Sequence, residues 1–100
     1  MSNYQFTNKA VEDLTDIWDY TSENWSEEQA DKYYFEIINV CEEIAENKRS
    51  GKYYSNLIEN LKGVKVNKHI IFYREITNEL IEIERILHEK MDLKSKLTEK

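Results

Sequence analysis

Two β-patterned runs, HIIFYREI and ELIEIERIL, meet at Thr77-Asn78, and this pair restricts the possible folds more than any other feature of the chain. Each run carries one arginine, Arg74 and Arg85, among apolar side chains. A guanidinium on a covered face costs several kcal/mol unless an acid or carbonyl meets it. The strands must therefore lie against elements that supply partners, with Asp13 and Asp16 the natural candidates. A two-residue turn at Thr77-Asn78 sets Ile76 opposite Glu79, Arg74 opposite Ile81, Phe72 opposite Ile83 and Ile70 opposite Arg85. Alternation then puts Ile70, Phe72, Arg74, Ile76, Ile81, Ile83, Arg85 and Leu87 on the face that helices cover. His69, Ile71, Tyr73, Glu75, Leu80, Glu82, Glu84, Ile86 and His88 form the other face, a mixed surface suited to a partner.

The helices are legible upstream. A short strand at residues 4–6 precedes Thr7, a helix N-cap residue. Ala10, Leu14, Ile17, Trp18 and Thr21 follow at helical spacing, with Val11 beside them. Ser26-Glu27-Glu28-Gln29 reads as a capping box opening a second helix. Its stripe is Ala30, Tyr33, Tyr34, Ile37, Ile38, Cys41, Ile44 and Ala45. The short link around Trp25 predicts an antiparallel helical hairpin. Tyr20, Trp25 and Phe35 fall at the margins of the stripes and are candidates for an exposed aromatic patch. Asn47 to Gly51 ends the second helix. Strands are expected at 61–66, 69–76 and 79–87, with a turn at Asn67-Lys68, and the tail from His88 is expected to begin with a helical turn and then fray at Lys94-Ser95-Lys96. The predicted class is α+β: an N-terminal strand and a two-helix hairpin packed on a small antiparallel sheet, in the order β-α-α-β-β-β. Residues 1–100 form one domain in this reading.

The net charge is −6, unevenly spread. Residues 1–47 hold twelve acids and two bases, a net −10; residues 48–100 hold eight acids and twelve bases, a net +4. Backbone phosphates reward clustered Lys and Arg, so direct nucleic-acid binding is not expected. No apolar run approaches the roughly 20 residues of a membrane span, and a soluble cytoplasmic protein without membrane association is expected. Cys41 is the one cysteine and falls on an apolar stripe, as core packing and not as a disulfide or a reactive thiol.

Catalytic chemistry is sparsely supported. Metal-free RNA cleavage needs a base, an acid and cations around the phosphorane. His69, His88, Tyr73, Arg74 and Arg85 are the right residue types, but the expected faces separate the arginines from the histidines. His88 and Asp92 stand four apart, as two ligands of one metal site would, yet no third ligand accompanies them. No cofactor, metal or catalytic residue is therefore assigned. The candidate contact residues for a protein partner are His69, Ile71, Tyr73, Arg74, Arg85, Ile86, His88, Asp92 and Trp25.

The segments FTNKAVEDLTDIWDYT, SEEQADKYYFEI, HIIFYR and RILHEKMD, in this order and spacing, closely resemble the ParE-type toxins of the wider ParE/RelE group. The resemblance spans nearly the whole chain. It implies two antiparallel helices on a small antiparallel sheet, and a toxin of a type II toxin–antitoxin module. It further implies inhibition of DNA gyrase by protein–protein binding, growth arrest, and a hetero-oligomer with a neutralising ParD-like antitoxin. The related RelE branch instead cuts mRNA on the ribosome with Lys, Arg and a C-terminal Tyr or His. Here no Tyr follows Leu87, which favours the ParE branch. In the stretch LKGVKVNKH, lysines stand where the family often has arginine, and Lys does not reproduce bidentate geometry. The alternatives carried forward are a RelE-like ribosome-dependent endoribonuclease and a non-toxic homologue that retains antitoxin binding.

Overall fold

Thr7 converts a strand into a helix in a single residue. Its hydroxyl accepts from the Ala10 N–H at 3.0 Å and donates to the Glu84 carbonyl at 2.7 Å, so the cap also fastens the helix start to a strand distant in sequence. The computed structural model describes residues 3–99. Its elements are β1 (Asn3–Phe6), α1 (Asn8–Asn24), α2 (Glu27–Ala45), β2 (Lys52–Tyr53), β3 (Lys62–Val66), β4 (His69–Thr77), β5 (Leu80–His88) and α3 (Leu93–Leu97). Ser26 caps α2 through the Gln29 N–H at 3.0 Å. Glu27 and Glu28 fill its first turn, where carboxylates suit the helix dipole. The helical hairpin is as expected.

The α+β class holds, with one correction to the sheet. Its order is β1-β5-β4-β3-β2, and β1 runs parallel to β5 while the other pairs are antiparallel. The sheet is thus mixed. The two-residue strand β2 and the helix α3 are also additions to the expected order.

The hairpin register departs from expectation. Thr77 pairs with Leu80, so the turn is Asn78-Glu79, and the Thr77 hydroxyl accepts from the Glu79 N–H at 3.1 Å. Two irregularities follow, between Glu75 and Thr77 and between Phe72 and Tyr73. Each skips one residue, and a one-residue skip flips every side chain beyond it to the opposite face. The observed pairs are Arg74 with Glu82, Phe72 with Arg85, Ile71 with Ile86 and Ile70 with Leu87. At the other turn Asn67 takes a left-handed φ of 54°, a conformation Asn tolerates.

As a result both faces of the sheet are covered. Ile71, Tyr73, Ile81, Ile83 and Ile86 join Val64 and Val66 under Ala10, Leu14, Ile37, Val40, Cys41, Ile44 and Ala45 of the helices. Ile70, Phe72 and Leu87, expected beneath the helices, instead form a second core with Leu61. Tyr54 and Ile58 from the β2–β3 connection and Leu93 and Leu97 from the tail close over it. The helix of the tail falls on the residues expected to fray: Asp92 caps α3 by accepting from the Ser95 N–H at 3.3 Å. Gly63 lets Tyr54 approach, since a Cβ there would lie 2.6 Å from the Tyr54 ring and 2.9 Å from Ile70.

Candidate interaction grooves

The outward surface of α1 is a ridge of Glu12, Asp16, Asp19 and Tyr20, all exposed. An apolar groove runs along each side of it. On the α2 side, Val11, Leu14, Thr15, Trp18, Tyr34 and Phe35 line a groove of about 390 Å³ bordered by Asp19 and Asp31. Phe35 and Val11 are 61% and 50% exposed, and the Trp18 indole N–H is held by Asp31 at 2.9 Å. The spacing i, i+4, i+7 on α1 and the facing Tyr34-Phe35 pair on α2 generate this strip. Of the eleven carboxylates in α1 and α2, Asp13 and Glu43 make ion pairs among the described residues; the only bases in the two helices are Lys9 and Lys32. The groove therefore lies in a field of uncompensated negative charge.

On the sheet side of α1, Ile17, Tyr20 and Thr21 face Ile86 and Met91 across a cavity of about 460 Å³. His69 and His88, a cross-strand pair, stand at the end of the β4–β5 ladder with ring centroids 5.2 Å apart. The phenol oxygen of Tyr33 lies 2.7 Å from His69 Nδ1 and 2.9 Å from the Val66 carbonyl oxygen. Burial, then the neighbouring His88, pulls the His69 pKa down to about 4. His88 Nδ1 accepts from the Lys90 backbone N–H at 3.1 Å.

The sequence-predicted site residues are scattered. Ile71 and Tyr73 are buried beneath the helices and offer no contact surface, because the skip of Ile76 turned their side of β4 inward. Ile86 is also buried, though it floors the sheet-side groove beside His69 and His88. Trp25 is 77% exposed at the helical turn, and Tyr20 and Phe35 are exposed as expected. Asp92 is a helix cap. Arg74 faces Glu82 and Glu84 of β5 and not an acid of the helices. Burial and the adjacent Glu82 push the Glu84 carboxyl up to about 7.

Arg85 does find Asp13. Where β1 ends, the edge of β5 is exposed, and the Asp13 carboxylate fills the place of a missing strand. Its Oδ2 accepts from Arg85 Nε at 2.7 Å and from the Ile86 backbone N–H at 3.0 Å, while Oδ1 accepts from Arg85 Nη2 at 2.9 Å. Arg85 Nη1 also donates to the Lys96 carbonyl at 2.6 Å, fastening the tail. The pair is a structural clamp joining α1, β5 and α3. Reasoning from sequence missed Ile17 as a groove residue and Tyr33 as the partner of His69, since both carry the signature of helix core.

A short two-faced sheet lies under an acidic helical hairpin, and two apolar strips beside α1 are left uncovered. Among the described residues no group of three or more His, Cys, Asp or Glu could hold a metal, and no helix is long and apolar enough to cross a membrane. The family described as the ParE toxin of the type II toxin–antitoxin system parDE matches residues 4–93. A ParE1 toxin of Caulobacter vibrioides is 34% identical over 97 residues, covering 97% of this chain and 99% of that protein. A ParE1 toxin of Mycobacterium tuberculosis is 29% identical, covering 92% of this chain and 94% of its own length. A structure described as a chromosomal ParDE system from P. aeruginosa superposes with a TM-score of 0.74 at 21% identity, covering 88% of this chain and 96% of that one, which speaks to the fold. The chain belongs to the ParE toxin family.

Proposed function

We propose that the whole chain acts as a single cytoplasmic toxin domain that inhibits DNA gyrase by binding it, and that a ParD-like antitoxin neutralises it in a hetero-oligomeric complex. Family membership supports the toxin role. The observation that carries the binding reading is the α1–α2 groove: exposed apolar side chains bordered by Asp19 and Asp31, which have no ion-pair partner among the described residues. Its complement is an amphipathic helix with apolar anchors and flanking Lys or Arg. The antitoxin segment that seats there is accordingly cationic, and its association weakens as salt rises.

The arrangement of polar groups disfavours the nuclease alternative. Arg74 and Arg85 lie on the sheet face opposite His69 and His88, so neither guanidinium joins the two imidazoles around a phosphate, and Lys90 is the one cation lining their groove among the described residues. Inducible expression tests the reading: growth arrest is expected, with loss of supercoiling and accumulation of gyrase cleavage complexes, while ribosome-bound mRNA stays intact. Cleaved transcripts with unaffected gyrase would replace it with the endoribonuclease. Unimpaired growth with retained antitoxin binding would leave a non-toxic homologue. Phe35→Lys and Val11→Lys, both on exposed positions, are expected to weaken antitoxin binding by tenfold or more without unfolding the protein.

A further inference from the structure

The sheet-side groove holds two imidazoles whose proton positions follow from their neighbours. The Tyr33 hydroxyl has one proton. At 2.9 Å from the Val66 carbonyl oxygen, which only accepts, that proton lies on the Tyr33–Val66 contact. The 2.7 Å contact between Tyr33 and His69 Nδ1 must then be supplied by an Nδ1–H on His69, leaving Nε2 of His69 as a bare acceptor. His88 is the reverse. Its Nδ1 accepts from the Lys90 N–H, so a neutral His88 carries its proton on Nε2 and presents a donor. Neither Nε2 has a hydrogen-bond partner among the described residues. Because no fully buried polar side-chain atom there is left unpartnered, both reach the accessible surface.

The surroundings are apolar and locally neutral. Ile17, Ile86 and Met91 supply the walls, Asp13 is consumed by Arg85, and Asp16 and Lys90, one charge of each sign with no ion pair between them, stand at the rim. A groove of about 460 Å³ is large enough for a side chain and part of its backbone. The two rings line one groove with centroids 5.2 Å apart, and an acceptor and a donor so close are met by a group that offers a donor and an acceptor along one edge. A carboxamide does so; a carboxylate sets a lone pair against His69 Nε2, and an ammonium sets a proton against His88 Nε2–H.

We propose that His69 and His88 form a subsite for the carboxamide of an Asn or Gln side chain on a partner polypeptide, its NH₂ donating to His69 Nε2 and its carbonyl accepting from His88 Nε2–H. Tyr33 is a positioning residue that fixes the His69 tautomer. The inference rests on the reading of this molecule as a binding protein only in that a partner supplies the side chain. Its test uses synthetic peptides, so a failure here and a failure of the gyrase or antitoxin reading are separable.

The probes are N-acetyl-Leu-Gln-Leu-N-methylamide and its Glu and Lys counterparts, titrated into the full-length protein and followed by methyl and imidazole NMR shifts. The Gln peptide is expected to bind about tenfold more tightly than either counterpart, as sites built from paired donors and acceptors discriminate strongly. Its shifts are expected at the His69 and His88 rings and the Ile17, Ile86 and Met91 methyls. His88→Phe is expected to erase the preference. Tyr33→Phe, which leaves both imidazoles in place, is expected to reduce it about three- to tenfold, the worth of one net hydrogen bond. Imidazole ¹⁵N shifts of the free protein give an independent reading: His69 protonated on Nδ1 and His88 on Nε2. The opposite tautomers, equal affinity for the three peptides, tighter binding of the Glu or Lys form, or no binding by any of them overturns the proposal.

Discussion

Replacing Asp13 with alanine removes three hydrogen bonds at once: two to the Arg85 guanidinium and one to the Ile86 backbone N–H. Both charged side chains are only 11% exposed, so water does not readily take their place. Removing one partner of a buried ion pair costs about 3–5 kcal/mol. Arg85 keeps the Lys96 carbonyl at 2.6 Å and a more exposed contact to Glu99 at 3.3 Å, which lowers the expectation. A loss of about 2–4 kcal/mol remains, with an orphaned Ile86 N–H contributing about 1 kcal/mol of it. At about 4–8 °C per kcal/mol for a domain of this size, Tm falls by roughly 8–32 °C. Urea denaturation followed by far-UV circular dichroism measures the loss, and repeating it in high salt separates this clamp from the screened surface pairs. Combining Asp13→Ala with Arg85→Met in a double-mutant cycle isolates the pair, and a coupling of about 1.5–3 kcal/mol is expected. An Asp13→Ala loss below about 0.5 kcal/mol, the scale of an ordinary surface change, would refute the clamp.

Three further outcomes are expected. Gly63→Ala drives a Cβ to within 2.6 Å of the Tyr54 ring and 2.9 Å of Ile70, and is expected to lower stability by about 1–3 kcal/mol in the same urea assay. His69, with its pKa lowered from 6.5 to about 4, makes the unfolded chain bind a proton that the folded protein refuses. Its contribution to stability is therefore present above pH 6.5 and lost as pH falls toward 4, by about 1–3 kcal/mol; stability–pH curves of His69→Phe should be flatter in that window. Cys41 is buried, and its thiol is pushed up to about 12 by burial and then by Glu42. Alkylation by iodoacetamide at neutral pH is expected to follow the rate of unfolding, and rapid modification of the native protein would contradict this placement.

The helical half of the molecule could be read along the chain because its determinants are local. Thr7 and Ser26 cap the helices they precede, and the stripe from Ala30 to Ala45 packs inward as its spacing implies. Asn67 takes the left-handed conformation at the β3–β4 turn. The pairing of Arg85 with an acid on the first helix was also inferable, since a covered guanidinium has few permitted surroundings.

The hairpin faces were not inferable in this way. Period-two alternation propagates from the turn, and a single skipped residue inverts everything past it. The turn at Asn78-Glu79 has local support from the Thr77 hydroxyl, whereas the skipped Glu84 lies where β5 meets the remote Thr7. Because of the skips at Ile76 and Glu84, Ile71 and Tyr73 lie in the core instead of on a binding surface, and the tail helix has a second core to cover. The grooves beside α1 likewise depend on how α1 docks against α2 on one side and against the sheet on the other. Chain order alone specified which residues prefer helix, strand and interior; packing between remote segments settled which apolar side chains were left over for a partner.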